Sequence, residues 1–153
     1  MFRLFSKNLN GFGLTVLLKY FCSLFIQKSD LSLQINVSIG EALDRYSIII
    51  IKSKKITDLK KLSYINSECS YLYPLIKKKL NLVNDLFEQL MVVNLEMWDV
   101  NETRKKKIKN GDLDVEYINL SIKESVLNDR RFIIKSKINS FFDTDIREQK
   151  SYI

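Results

Sequence analysis

From about Val37 onward, apolar residues recur at helical spacing in four successive segments separated by short polar breaks. Ile39, Ala42, Leu43, Tyr46, Ile49 and Ile50 mark the first. Ser38-Ile39-Gly40-Glu41 opens it as a capping box, in which the Ser38 hydroxyl accepts from the Glu41 amide and the Glu41 carboxylate reaches back to the Ser38 amide. The β-branched run Ile48 to Ile51 would by itself suggest a strand, but the cap and the periodicity before it favour a helix ending at Lys52 to Lys55. Thr57 or Asp58 caps the second segment, whose inner face is expected to carry Leu59, Leu62, Ile65, Cys69 and Leu72. Pro74 is expected to kink or restart that helix, because it lacks an amide donor and crowds the carbonyl four residues back.

The third segment has the most regular pattern: Leu86, Leu90, Val93, Met97 and Val100 alternate steps of four and three, a coiled-coil-like seam continuing through Arg104 to Ile108. Asn110-Gly111 is its stop signal, and Arg104 to Lys109 supply positive charge at the negative end of the helix dipole. The fourth segment starts near Asp112 or Asp114, runs to about Phe142, and shows Ile118, Ile122, Val126, Ile133 and Phe141 as its expected core side. Two long helices joined by a tight turn predict an antiparallel hairpin with the first two helices packed alongside. The expected fold is all-α and resembles a four-helix bundle, with its domain over residues 35–153.

Residues 1–34 read differently. Arg3 and Lys7 precede an apolar run from Leu14 to Ile26 in which Leu14, Leu17, Leu18, Phe21 and Phe25 share one helical face. Lys19 interrupts the run and no small-residue cleavage site follows, which disfavours a signal peptide, and the run is too short and charged for a clear membrane span. An accessory segment is the leading expectation, and an interfacial helix that meets anionic headgroups is the alternative.

Composition narrows the chemistry. There is no His, which excludes a His general base, Ser-His and Cys-His nucleophiles and His-ligated metal. Four Gly and one Pro are too few for a loop-rich sandwich or a Gly-lined nucleotide site. Cys22 and Cys69 form no metal or disulfide spacing and are expected as buried thiols in a reducing, cytoplasmic compartment, with peripheral membrane contact through residues 1–34 as the alternative. No metal site and no cofactor are expected. The net charge of +7 divides into +8 for residues 1–81 and −1 for residues 82–153, so the excess lies in the first half. Either a solvated basic surface or a polyanion-binding one fits it.

Candidate polar chemistry gathers toward the end of the chain. Ser121, Ser125, Asn128, Arg131 or Phe132, Lys135 and Asn139 form a second, largely polar stripe on the fourth helix, readable as interhelical hydrogen bonds that fix register or as a pocket where Arg131 and Lys135 meet a carboxylate or phosphate with Asn128 orienting it. Trp98, Glu102 and Arg104 lie near the hairpin turn. The tail Glu148-Gln149-Lys150-Ser151-Tyr152 is expected to fold back over this stripe, with Tyr152 packing its ring and Lys150 pairing with a carboxylate such as Glu41 or Glu102.

Several of these motifs, taken in order, resemble a family of small helical proteins of bacteria and phages catalogued as a domain of unknown function. They are Ile39-Gly40-Glu41, Lys55-Ile56-Thr57-Asp58 with Lys61-Leu62, Trp98 with Arg104, Asn128-Asp129-Arg130-Arg131, Lys135, Ile138-Asn139 and the tail. The resemblance spans about residues 35–152. The family's usual pattern has more acidic residues after the first helix, a Pro after Asp58, and Gly-Ser where this chain has Asp143-Thr144. It implies a helical architecture and an occasional link with glycosyltransferase or surface-polysaccharide functions, and it assigns no catalytic residue.

Three functions follow as expectations. The first is a non-enzymatic helical binding or scaffold module acting on a protein partner, linked through the resemblance to cell-envelope polysaccharide assembly. The second is a small enzyme that holds an anionic small molecule between Arg and Lys side chains, and it requires a closed pocket in which Glu41, Arg104, Asn128 and Arg131 converge. The third, a nucleic-acid or membrane-surface binder, is less favoured: no aromatic interleaves the Arg104 to Lys109 cluster, and the helix dipole already accounts for it.

Overall fold

The computed structural model describes residues 33–151. The expectations for an amphipathic helix before residue 33 and for Tyr152 therefore lie outside the described residues. Among the described residues there are four helices: α1 (Ile39–Lys55), α2 (Leu59–Leu82), α3 (Asn84–Asn110) and α4 (Val115–Phe141). They lie in one compact unit, Asn36–Ile153, with an all-α, four-helix bundle-like arrangement. No helix among the described residues is long and apolar enough to cross a membrane.

Local chemistry sets the helix ends. Ser38 Oγ accepts from the Glu41 amide at 3.1 Å, which is half of the expected capping box. The other half is absent because the Glu41 carboxylate is drawn across to Lys135 on α4. Asp58, not Thr57, caps α2, and Asp114, not Asp112, caps α4. Gly111 ends α3 in the left-handed region at φ 80°, with the Asp112 amide bonded to the Lys107 carbonyl. The β-branched run in α1 stays helical because both faces of that helix are packed. Pro74 does not restart α2, which continues to Leu82 and breaks only at Val83, a single buried non-helical residue.

The hairpin of α3 and α4 is antiparallel, and α1 lies against both of its helices, parallel to α3 and antiparallel to α4. On α1 rests α2, through the ion pair of Arg45 with Glu68 and the stacked rings of Tyr46 and Tyr73. Leu43, Leu90, Leu127 and Ile138 form the fully buried centre. Along α2 the inner face holds as expected at Leu62, Ile65, Cys69 and Leu72 and extends to Ile76, but Leu59 is exposed at the helix start. Cys69 is only half-buried. Along α3, Phe87 and Asn94 join the expected seam, because a helix pressed by two neighbours buries more than one stripe, whereas Ile108 lies beyond α1 and is exposed.

The largest correction concerns α4. Ile118, Ile122, Val126, Ile133 and Phe141 are all exposed by half or more, and the core side is instead Leu127, Ile134 and Ile138 with Leu120 partly covered. Val126 and Leu127 stand about 100° apart around the helix, so two apolar stripes compete on one element. The outward stripe is richer in β-branched residues and more regular. The inward stripe wins because Arg131 and Asn139, interspersed in it, find buried partners on α1.

Candidate functional site

Gly40 fixes how closely α1 approaches α4. A Cβ at that position would lie 2.6 Å from the Lys135 carbonyl oxygen and 2.8 Å from Asn139 Oδ1. Only a residue without a side chain permits this contact. The Gly40 amide, one of the donors that a helix start leaves without an intrahelical acceptor, donates to Asn139 Oδ1 at 2.7 Å. Asn139 thus caps α1 from another helix while Ser38 caps it locally.

One turn further along α1, Asp44 is 1% exposed and carries its charge in the core. Arg131 donates to both of its oxygens, with Nε to Oδ1 at 2.7 Å and Nη2 to Oδ2. Asn94 Nδ2 donates to Asp44 Oδ1 at 2.8 Å and to Ser47 Oγ at 2.6 Å, and the Ser47 hydroxyl donates to the Asp44 carbonyl at 2.6 Å. The carboxylate therefore has a bidentate cationic partner and an amide donor, which is what a buried charge requires. The hydrogen bonds with Asp44 raise the Arg131 guanidinium above its ordinary value against the opposing effect of burial.

The seam continues into the tail. Lys135 Nζ, largely covered, donates to Glu41 at 3.0 Å and to Glu148 at 2.5 Å. Burial would lower the Lys135 pKa, but the hydrogen bonds to Glu148 and Glu41 outweigh it and the net shift is upward. The chain turns back at Asp143, whose φ of 48° is left-handed, with the Thr144 amide bonded to the Asn139 carbonyl. Lys150 then pairs with Asp129 at 2.9 Å and lies 5.0 Å from the Phe132 ring centre. The tail does fold back, but Lys150 meets Asp129 rather than Glu41 or Glu102, because Lys135 and Glu148 already occupy the Glu41 end.

Elsewhere the candidate residues separate. Arg104 belongs to the hairpin, where it pairs with Glu124, donates to Asn101 and sits 5.7 Å from the Tyr117 ring centre. Asn128 is exposed. Glu41 and Arg131 share the α1–α4 seam, and neither of two open clefts contains Glu41, Arg104 or Asn128. One cleft, of about 480 Å³, has Ile48 and Ile51 of α1 and Met97 as its apolar part, Trp98, Asn101, Glu102 and Lys105 along α3, and Arg131 reaching in from α4. The other, about 590 Å³, is a groove on the outer side of the hairpin between Val92, Arg130, Ile133 and Lys137. Beside this groove runs the outward stripe of α4. Among the described residues no group of three His, Cys, Asp or Glu is placed to hold a metal ion.

Comparison with protein-family models, with curated proteins and with solved structures found no match to this chain.

Sequence reasoning missed Asp44, Ser47 and Asn94, which form the centre of the buried network, and Asp129 as the partner of Lys150. The signal for the first two was present: Gly40, Asp44, Ser47 and Ile51 follow one line along α1 at steps of four, three and four. Together with the apolar line beside it, this marks a helix buried on more than one side.

Proposed function

We propose that this chain is a non-enzymatic helical binding module that engages a protein partner through the outward face of α4. The supporting observation is a division of labour on that helix. Its inward cations are consumed internally, Arg131 by Asp44 and Lys135 by Glu41 and Glu148, while its outward face presents Val115, Ile118, Ile122, Val126 and Ile133 to solvent. An exposed apolar stripe of that length on one helix face is characteristic of a contact site. A link to cell-envelope polysaccharide assembly rests on the motif resemblance alone.

A photo-crosslinking side chain at position 122 of the full chain tests the reading, with the same probe at exposed Ser63 of α2 as control. A discrete protein adduct at 122 that is absent at 63 and lost on Val126→Glu is expected. No adduct at 122 would reject it.

The cleft beside Trp98 favours a second reading, an anionic small-molecule site using Lys105 and Arg131. Against it stand the bidentate use of Arg131 by Asp44 and the neighbouring Glu102. Trp98 is the chain's only tryptophan, so its fluorescence reports on this cleft. No saturable response to inorganic phosphate is expected, and a saturable one abolished by Lys105→Ala would replace the first reading with the second.

A further inference from the structure

We infer that the occupant of the outward α4 face is a second copy of this chain, docked antiparallel, α4 against α4, about a twofold axis at residue 124. The inference rests on the binding-module reading above and names its partner. Val115, Ile122, Val126 and Ile133 are spaced by seven, four and seven residues. At about 100° per residue they fall within an arc of roughly 40°, so they form one straight ridge. All four are more than half exposed. A seven-four-seven spacing reads the same in both directions. Reversing the helix about residue 124 therefore sets Val115 against Ile133 of the second copy and Ile122 against its Val126, and every apolar residue of the ridge meets another. An isologous twofold contact requires this self-complementarity, and a heterologous partner would not. With Asn119 and Asp129 included, the ridge follows the alternation of fours and threes of a coiled-coil seam.

The charges beside the ridge agree with the same register. On one flank of the ridge Glu116 comes within two residues' rise of the level of Arg130 of the second copy, and the symmetry repeats this neighbourhood at the other end; within its own chain Glu116 also meets Lys107 at 2.7 Å and Arg130 lies 3.9 Å from Glu96. Asn119 comes opposite Asp129. The one like-charge encounter is between the two Lys123 side chains, one residue to either side of the axis on the same flank, where each is already paired with Glu96 of its own chain at 2.8 Å. Past the ridge, exposed Leu113 of the second copy reaches the level of residue 135, beside the outer groove lined by Val92, Ile133 and Lys137.

Sedimentation velocity of the full chain over a wide concentration range provides the test. The wild type is expected to be dimeric, and Ile122→Glu and Val126→Glu are expected to raise the dimer dissociation constant at least tenfold with unchanged circular dichroism, since both side chains point away from the core. Glu116→Arg and Arg130→Glu should each weaken the dimer when alone, because each places like charges at both ends. Mixing these two variants should restore a heterodimer: at one end the two introduced charges, of opposite sign, face each other, and at the other the original pair of Glu116 with Arg130 is kept. A wild type that stays monomeric, a dimer indifferent to Ile122→Glu, or a mixture that fails to recover would each overturn the inference. If the chain is monomeric while the probe at position 122 captures a different protein, the self-docking inference fails and the binding-module reading survives. If neither dimer nor adduct appears, both fail.

Discussion

Replacing Gly40 with Ala should destabilise this protein, although the same change inside an ordinary exposed helix stabilises it by up to about 1 kcal/mol. The new methyl carbon would sit 2.6 Å from the Lys135 carbonyl oxygen and 2.8 Å from Asn139 Oδ1. The first distance is roughly 0.8 Å short of ordinary contact, and the obstacle is the backbone of α4, which cannot swing aside as a flexible side chain can. Relief requires α1 to retreat from α4, which stretches the 2.7 Å bond from the Gly40 amide and strands Asn139, itself almost fully buried. Overpacking costs about 1–3 kcal/mol, and an unsatisfied buried amide about 1–3 more. After subtracting the gain in helix propensity, the net loss should be about 2–4 kcal/mol. Urea unfolding followed by circular dichroism measures it, and Asn139→Ala as the second arm of a double-mutant cycle should show coupling, because the two residues share one hydrogen bond. A Gly40→Ala variant as stable as the wild type would refute the close approach of α1 and α4, and with it the placement of the Asp44 network one turn away.

The remaining predictions test the seam, the turns and the charges. Arg131→Ala should cost about 2–4 kcal/mol because it leaves the Asp44 carboxylate buried with only Asn94 for support, and Asp44→Ala should cost less because the freed guanidinium can turn into the Trp98 cleft; equal costs in chemical denaturation would contradict that asymmetry. Gly111→Val should cost about 1–2 kcal/mol from backbone strain alone, since nothing lies within 4 Å of the added carbon, whereas Asp143→Gly should stabilise by up to about 1 kcal/mol by removing a left-handed non-glycine residue. Thermal melts check both signs. In acid, Glu96 is held below its ordinary value of 4.5 by its hydrogen bond with Lys123, and Asp114 below 3.8 by the Tyr117 amide and Lys107. Their contribution is present above those ordinary values and lost as pH falls through the lower folded ones, so Glu96→Gln should flatten the acid limb of stability against pH. At the alkaline end Lys135 is raised above 10.5, so its contribution is full below that value and lost as pH rises through the higher folded one, and Lys135→Met should remove that part of the decline.

How much was legible in the sequence depends on whether a feature is local. Caps are local: Ser38, Asp58 and Gly111 end helices through bonds to residues a few positions away, so their positions followed from residue type. The inner face of α2 was legible because that helix rests mainly on α1, and a single stripe suffices for one main contact. By contrast α1 packs against three helices, and the line of Asp44 and Ser47 beside its apolar face could be assigned only once α3 and α4 were in place. Lys150 and its carboxylate were misjudged for the same reason, since Glu148 had to occupy Lys135 first for Asp129 to become the partner.

By itself, then, the sequence determined four helices after residue 37, the starts of α1, α2 and α4 and the ends of α1, α3 and α4 to within a few residues, the antiparallel hairpin, and the absence of any histidine-dependent chemistry, but not the break between α2 and α3 at Val83. Periodicity, capping and composition act within one or two turns of chain, and no distant contact can override them cheaply. Tertiary structure decided which of two apolar stripes on α4 faces inward. Burying Leu127, Ile134 and Ile138 brings Arg131, Lys135 and Asn139 to Asp44, Glu41 and Gly40, whereas burying Ile122, Val126 and Ile133 would leave the Asp44 charge in the core without its cation. An unpaired buried carboxylate costs several kcal/mol, more than the difference between two apolar stripes of similar size, so the polar partners of α1 choose the face of α4.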